Sequence, residues 1–282
     1  MIDIITVVFR DELPILKAQA QSIDLYCQNI GVETIFVIVN DDDSVVDQID
    51  SAWWGSLASY VKIIPRSYFK CNFVENGWVS QQVLKLLTSA ISYNTWSMVL
   101  DAKTILVQPV ALDRVFDTTG RLTMGYIPIF SVFKPSQEIV SQLFDINLTH
   151  VAGPGGVPFF FHNAITRAMI DKVTQLTGQQ FSDWFQEQGM VTEFILYSGY
   201  VQYRDGTLDH VYVNNSSPYT VCNICHSETG IFDSKFIPES FGSSLLTVSI
   251  HRRAWSNLTP IQQKKYQTFL LTRGITQIKG LL

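Results

Sequence analysis

Apolar runs and helical patterns alternate along the first hundred residues. Ile4–Phe9 reads as a buried strand, followed by a helix from about Leu13 to Cys27 and a second strand at Thr34–Val39. A helical stretch ending near Tyr60, the short run Val61–Ile64, a helix from about Val79 to Ser92 and the run Trp96–Leu100 continue the series. Near-continuous apolar strands separated by helices predict a mostly parallel sheet covered on both faces. Such sheets bind ligands outside the carboxyl ends of their strands, near a topological switch point.

Three strand ends carry polar residues: Thr6–Arg10 after the first, Asn40 with Asp41, Asp42 and Asp43 after the second, and Asp101 with Lys103 after the fourth. Asp and Asn there also serve as turn and cap residues. Beyond residue 120 the pattern is less regular. The stretch GPGGVPFFF (Gly153–Phe161) reads as a loop entering a buried strand, followed by helices at Ala164–Leu176 and Phe181–Gln188 and another near Glu193. A late strand, Leu245–Ile250, ends at His251, and Thr259-Pro260 reads as an N-cap with proline at the first helical position. With no internal repeat or low-complexity linker, the expectation is one continuous unit: residues 1–120 as a nucleotide-binding half and residues 121–282 as an irregular α+β acceptor-side half.

Composition narrows the class. With 46% hydrophobic and 16% charged residues in 282, the chain can bury a large core, and a net charge of −5 argues against binding driven by general phosphate neutralisation. Nucleic acid is an unsupported partner on these grounds. No apolar run approaches the roughly 18–20 residues that span a bilayer, and MIDIITVVFRDELP turns acidic where a signal peptide would continue apolar, so a cytoplasmic protein without a transmembrane segment is expected. Four cysteines are too few for a disulfide scaffold; Cys222, Cys225 and His226 have the spacing of c-type haem attachment, but that chemistry belongs to exported proteins.

Candidate chemistry concentrates in GWVSQQVLKLLTSA (Gly77–Ala90) and WSMVLDAKTILVQP (Trp96–Pro109). On a helix, Trp78, Gln82 and Lys85 recur at i, i+4 and i+7 and share one face, while Val83, Leu84, Leu86 and Leu87 are free to pack on the sheet. In extended chain Asp101 and Lys103 point to one side about 6–7 Å apart, which suits joint contact with a diphosphate or with a metal bound to it.

The block GW..QQ..KL, a following strand that ends in an acidic motif, and TEFILYSGYV (Thr192–Val201) together resemble a family of bacterial and phage GT-A-like glycosyltransferases, whose pattern is GW..QQ..KL, a DSD-type motif, then SEY..YG. The resemblance runs in order over roughly residues 1–210. It implies a GT-A-like, mostly parallel, Rossmann-like sheet flanked by helices, and a nucleotide-sugar donor across the first and fourth strands. Thr6, Phe9 and Arg10, with Asp41, Trp78, Gln82 and Lys85, then stand on the donor side.

In such enzymes an Asp-x-Asp motif holds a divalent metal; here Asp101 matches the first carboxylate and Lys103 stands in the second position. A cation there cannot ligate a metal but can itself neutralise a departing phosphate. Asp101 with the late-strand His251 is nonetheless a candidate site for manganese or magnesium.

Glu193, within an apolar and aromatic segment, is the candidate general base toward an acceptor hydroxyl, because burial raises a carboxyl pKa; capping a helix with Thr192 is its other role. His162, Asn163 and Trp184 are candidate acceptor contacts, and Arg252 with Arg253 a candidate diphosphate clamp. The expected function is sugar transfer to a glycan or other hydroxyl. The alternatives are a non-catalytic nucleotide- or carbohydrate-binding protein with a degenerate metal motif, and a phage enzyme that glycosylates DNA bases.

Overall fold

In the computed structural model the described residues are 1–153, 157–214, 219–225, 230–236, 242 and 244–278. Ten strands run in chain order: β1 (Ile2–Val8), β2 (Val32–Val39), β3 (Val61–Pro65), β4 (Trp96–Asp101), β5 (Thr104–Leu106), β6 (Tyr126–Pro128), β7 (His150–Ala152), β8 (Phe159–His162), β9 (Thr220–Ile224) and β10 (Leu245–Ile250). The main sheet has the order β3-β2-β1-β4-β8. Its first four strands are parallel, and β8 joins antiparallel with Trp96 opposite His162 and Val99 opposite Phe159.

Every residue of β1 is buried, as its unbroken apolar run requires of a central strand covered on both faces. The helices are α1 (Leu13–Tyr26), α2 (Gly77–Ile91), α3 (Leu112–Val115), α4 (Lys134–Phe144), α5 (Asn163–Thr177), α6 (Phe181–Gln188), α7 (Glu193–Asp205), α8 (Phe232–Lys235), α9 (Arg252–Trp255) and α10 (Pro260–Thr272). Among the described residues no helix is long and apolar enough to cross a membrane.

α1 explains its own uneven pattern. Leu16, Ala20 and Ile23 enter the main core, whereas Ile15 and Ala18 enter a second, smaller core with Ile105, Ile224, Val248, Trp255 and Phe269. That second core lies under the sheet β5-β10-β9, in which β10 runs antiparallel to β5 and parallel to β9. The late strand Leu245–Ile250 is therefore real but belongs to this small sheet. α10 starts as its sequence predicts: Thr259 and Gln262 form a reciprocal capping box, with Pro260 at the first helical position.

The helical stretch expected to end near Tyr60 is present. The stretch ending at Tyr60 is 3-10 rather than α, broken at Gly55, because two tryptophans and short polar residues supply no continuous helical stripe. Residues 154–156 of the expected loop lie outside the described residues, as does His226 of the Cys-x-x-Cys-His spacing. Cys27 is a buried free thiol and Cys71 a half-buried one.

Two contacts fix elements that carry the site. The amide of Gln19 on α1, fully buried, donates to the carbonyls of Asp101 (2.6 Å) and Thr104 (2.9 Å), and so pins the turn between β4 and β5. In α7, Gly199 meets α4: a Cβ there would lie 2.2 Å from Val140 Cγ1, so only glycine lets these helices approach this closely.

Candidate active site

β4 delivers Asp101 to the carboxyl edge of the main sheet, and the turn after it presents Lys103. α2, capped by Asn76 whose side chain accepts from the Trp78 N–H, carries Lys85 to the same point. Lys85 is 3% exposed. Its ammonium donates to Asp101 Oδ1 (2.7 Å) and to Glu193 Oε1 (3.0 Å), while Lys103 Nζ donates to Asp101 Oδ2 (2.8 Å).

Glu193 opens α7 behind Thr192, whose hydroxyl accepts from the Ile195 N–H. The Glu193 N–H donates to Gln82 Oε1 (3.2 Å), and Gln82 Nε2 donates to the Trp78 carbonyl (2.9 Å). Gln82 thus joins α2 to the first turn of α7 and holds Glu193 beside Lys85.

The two carboxylates are not equivalent. Burial pushes the Asp101 carboxyl upward, but the ammoniums of Lys103 and Lys85 outweigh it and hold it well below the usual carboxylate range. For Glu193, burial dominates: its pKa is raised, with Lys85 offsetting only part of the shift. Burial alone would depress Lys85, yet the paired carboxylates push it above its ordinary value. Asp101 is therefore held in its charged form, and Glu193 is the more readily protonated of the two.

These groups form one wall of a cavity of about 830 Å³. Glu12, Gln81, His251, Arg252 and Arg253 extend the polar wall, and Ile129, Phe130, Phe133, Val151, Val157 and Phe194 form an apolar one. The size suits a bound organic ligand, and a largely apolar lining with a few convergent polar groups is the usual character of such sites. Glu12 escaped the assignment of site residues from sequence, because it reads as an ordinary acidic residue before a helix. Its carboxylate accepts from the Phe9 N–H (3.2 Å); burial raises its pKa, and Lys103, then Arg252, act to lower it.

Of the residues singled out from the sequence, Phe9, Trp78, Gln82, Lys85, Asp101, Lys103, Glu193, His251, Arg252 and Arg253 line this one cavity. Thr6 does not; its side chain is buried within β1, between Val37 and Leu100 in register. Arg10 is exposed, with its N–H on Asp41 Oδ2 (3.2 Å), and Asp41 lines a separate cavity of about 510 Å³ with Asp42, Asp43 and Arg66.

The acceptor candidates His162, Asn163 and Trp184 are not among the residues that line the larger cavity. His162 pairs with Trp96 at the amino end of β4, about five residues or roughly 16 Å along the strand from Asp101. Asn163 is fully buried there: its Oδ1 accepts from Ser89 and Ser97, and its Nδ2 donates to Ser92 Oγ and the Asn94 carbonyl, each at 2.8 Å. Trp184 is a core residue packed edge-on against Phe185.

The expected metal pair meets at one cavity but in a setting already crowded with cations. Asp101 and His251 both face the cavity, but each Asp101 oxygen already receives an ammonium, and His251 Nδ1 accepts from the Arg253 N–H (3.2 Å) as the cap of α9. No group of three His, Cys, Asp or Glu side chains is arranged to hold a metal among the described residues. Manganese or magnesium asks for several unencumbered oxygen ligands, and this donor set does not fit.

The architecture is that of GT-A-like glycosyltransferases. The structure of the galactosyltransferase LgtC in complex with donor and acceptor sugar analogues aligns over 96% of this chain and 95% of its own, at a TM-score of 0.52 and 11% identity. A second LgtC structure, that of an active-site mutant, aligns over the same shares at 0.53 and 10%. At such identity the likeness is one of fold. A model of a family of unknown function, DUF6492, matches residues 6–239, and the chain belongs to that family. No curated protein sequence matches it.

Proposed function

We propose that this protein transfers a sugar from a nucleotide-sugar donor to a hydroxyl acceptor. The observation that carries the reading is the junction of Lys85, Asp101 and Glu193 at the carboxyl edge of a GT-A-like sheet, opening into a cavity with one charged and one apolar wall. The likeness in fold to LgtC, crystallised with donor and acceptor sugar analogues, supports it.

In this reading residues 1–120 supply most of the donor side and residues 121–282 the acceptor side. Lys103 and Arg252 face the donor diphosphate. Trp78 and Phe130, exposed at the cavity, offer aromatic faces to a sugar ring. Glu193, with its raised pKa, accepts the proton of the acceptor hydroxyl as that oxygen bonds the anomeric carbon. The bond from that carbon to the diphosphate breaks, and its electron pair leaves on the phosphate oxygen. Asp101 fixes both ammoniums and keeps Lys85 aimed at Glu193.

The test is to incubate the protein with UDP-, GDP-, CMP- and dTDP-sugars and follow nucleotide release with and without a glycan mixture. Release or transfer by the wild type, lost in Asp101→Asn, is the expected result; a folded protein inert toward every donor overturns the reading. The engagement of both Asp101 oxygens by lysines favours one second reading, a binding protein without turnover. It is told apart by donor binding that never leads to nucleotide release.

A further inference from the structure

The position where GT-A-like enzymes are expected to hold a divalent cation is occupied here by side chains of the protein itself. Lys103 Nζ lies 2.8 Å from Asp101 Oδ2 and Lys85 Nζ lies 2.7 Å from Asp101 Oδ1. A divalent cation on Asp101 would have to displace one ammonium and sit within a few ångströms of the other, at a repulsion that a partly buried site screens poorly.

The backbone offers little in compensation. The carbonyls of Asp101 and Thr104 already accept from Gln19 on the α1 side. Cations, by contrast, are at hand: Lys103 and Arg252 both line the cavity, Lys103 on Asp101 Oδ2 and Arg252 on the exposed carboxylate of Asp11 (2.8 Å), a surface pair that a diphosphate can displace at little cost.

We infer that the donor site works without a divalent metal, Lys103 and Arg252 themselves meeting the charge of the diphosphate while Lys85 holds Asp101 in place as the anchor of Lys103. The inference rests on the nucleotide-sugar reading above. An ammonium supplies a compact point charge and a guanidinium two parallel N–H donors, which together match the non-bridging oxygens of a diphosphate.

Calorimetry of the full chain with UDP, GDP and dTDP, once in excess EDTA and once in millimolar manganese, tests it. The wild type is expected to bind one of these nucleotides with affinities within about twofold in the two buffers. A larger gain from manganese overturns the inference and leaves the nucleotide-sugar reading standing. Lys103→Met is expected to lose about tenfold or more in EDTA with its melting temperature little changed, since it gives up a charge-assisted phosphate contact; unchanged affinity overturns the role given to Lys103.

Lys103→Asp, which sets two carboxylates two residues apart, is expected to bind weakly in EDTA and to recover with manganese. Recovery is also read directly, as loss of the free-manganese paramagnetic resonance signal on adding the variant and nucleotide. The same loss of signal with the wild type overturns the inference. If none of the three nucleotides binds the folded wild type in either buffer, the nucleotide-sugar reading itself fails and takes the inference with it.

Discussion

The two ends of the central strands each carry a buried polar cluster, and the one at the carboxyl end lines the large cavity. At the amino end, Asn163 uses both donors and both acceptor positions on Ser89, Ser92, Asn94 and Ser97, and Asp3 accepts from Ser92 and from Asn94 (2.8 Å). Its capacity is exhausted, so nothing remains for a ligand. At the carboxyl end the groups are charged and unequal: Asp101 is pinned in its ionised form, Glu193 is displaced toward the proton, and the cavity adjoins both. Burial with complete satisfaction builds structure; burial with an imbalance beside open space builds chemistry.

The largest effect expected is that of Lys85→Met. It leaves two carboxylates facing each other without the shared ammonium and should cost about 3–5 kcal/mol in the denaturant midpoint, with transfer abolished. A variant as stable as wild type would show that the carboxyl-end cluster is not a coupled unit.

Glu193→Gln comes next. It keeps shape and a hydrogen-bond acceptor for Lys85 and should lower kcat by about 10²- to 10⁴-fold while the fold persists. Wild-type rates should rise with pH through the raised pKa of Glu193, and this acid limb should vanish in the variant. Stability carries the opposite sign for the two carboxyls. The contribution of Glu193 is full below its ordinary 4.5 and is lost as pH rises through the folded value. That of Asp101 is present above its ordinary 3.8 and is lost as pH falls toward the depressed one. Urea midpoints measured from acid to neutral pH in wild type and Glu193→Gln separate the two.

Asn163→Ala sharpens the comparison from the other side. Leaving buried hydroxyls without partners should cost about 1–3 kcal/mol, with kcat unchanged below the melting transition. A fall in kcat without loss of stability would erase the distinction between the two ends. The smallest effect is that of His162→Ala, which removes a ring packed edge-on against Trp96 and should cost about 1 kcal/mol, again without change in kcat.

The same comparison shows what could be read from sequence. The strands β1, β2 and β4 were legible because unbroken apolar runs end abruptly in polar residues, and Lys85, Asp101, Lys103 and Glu193 because charge inside apolar patterns demands a reason. The direction of β8 was not. Phe159–His162 ends in polar residues just as the parallel strands do, but it runs antiparallel, so its carboxyl end lies at the closed side of the sheet. Polarity marks a strand end without saying which end. Glu12 was missed for a related reason, since its place in one cavity with Lys103 and Arg252 comes from the fold and not from its neighbours in sequence. The pairing of Lys103 with Asp101 was the hardest to foresee: two residues spaced for joint contact with a ligand contact each other instead.

α2 connects the two clusters physically. It is about 22 Å long. Its first turn is held by Asn40 on Ser80 (2.9 Å) and by Phe9, whose ring lies where a Cβ on Gly77 would come within 2.8 Å; its middle carries Lys85; and one turn later Ser89 enters the network of Asn163. The helix behaves as a strut braced at both ends, with the functional lysine between the braces. Heat should then find no soft intermediate in which the site fails while the fold survives, and the loss of activity on warming should follow the loss of helical signal along a single curve.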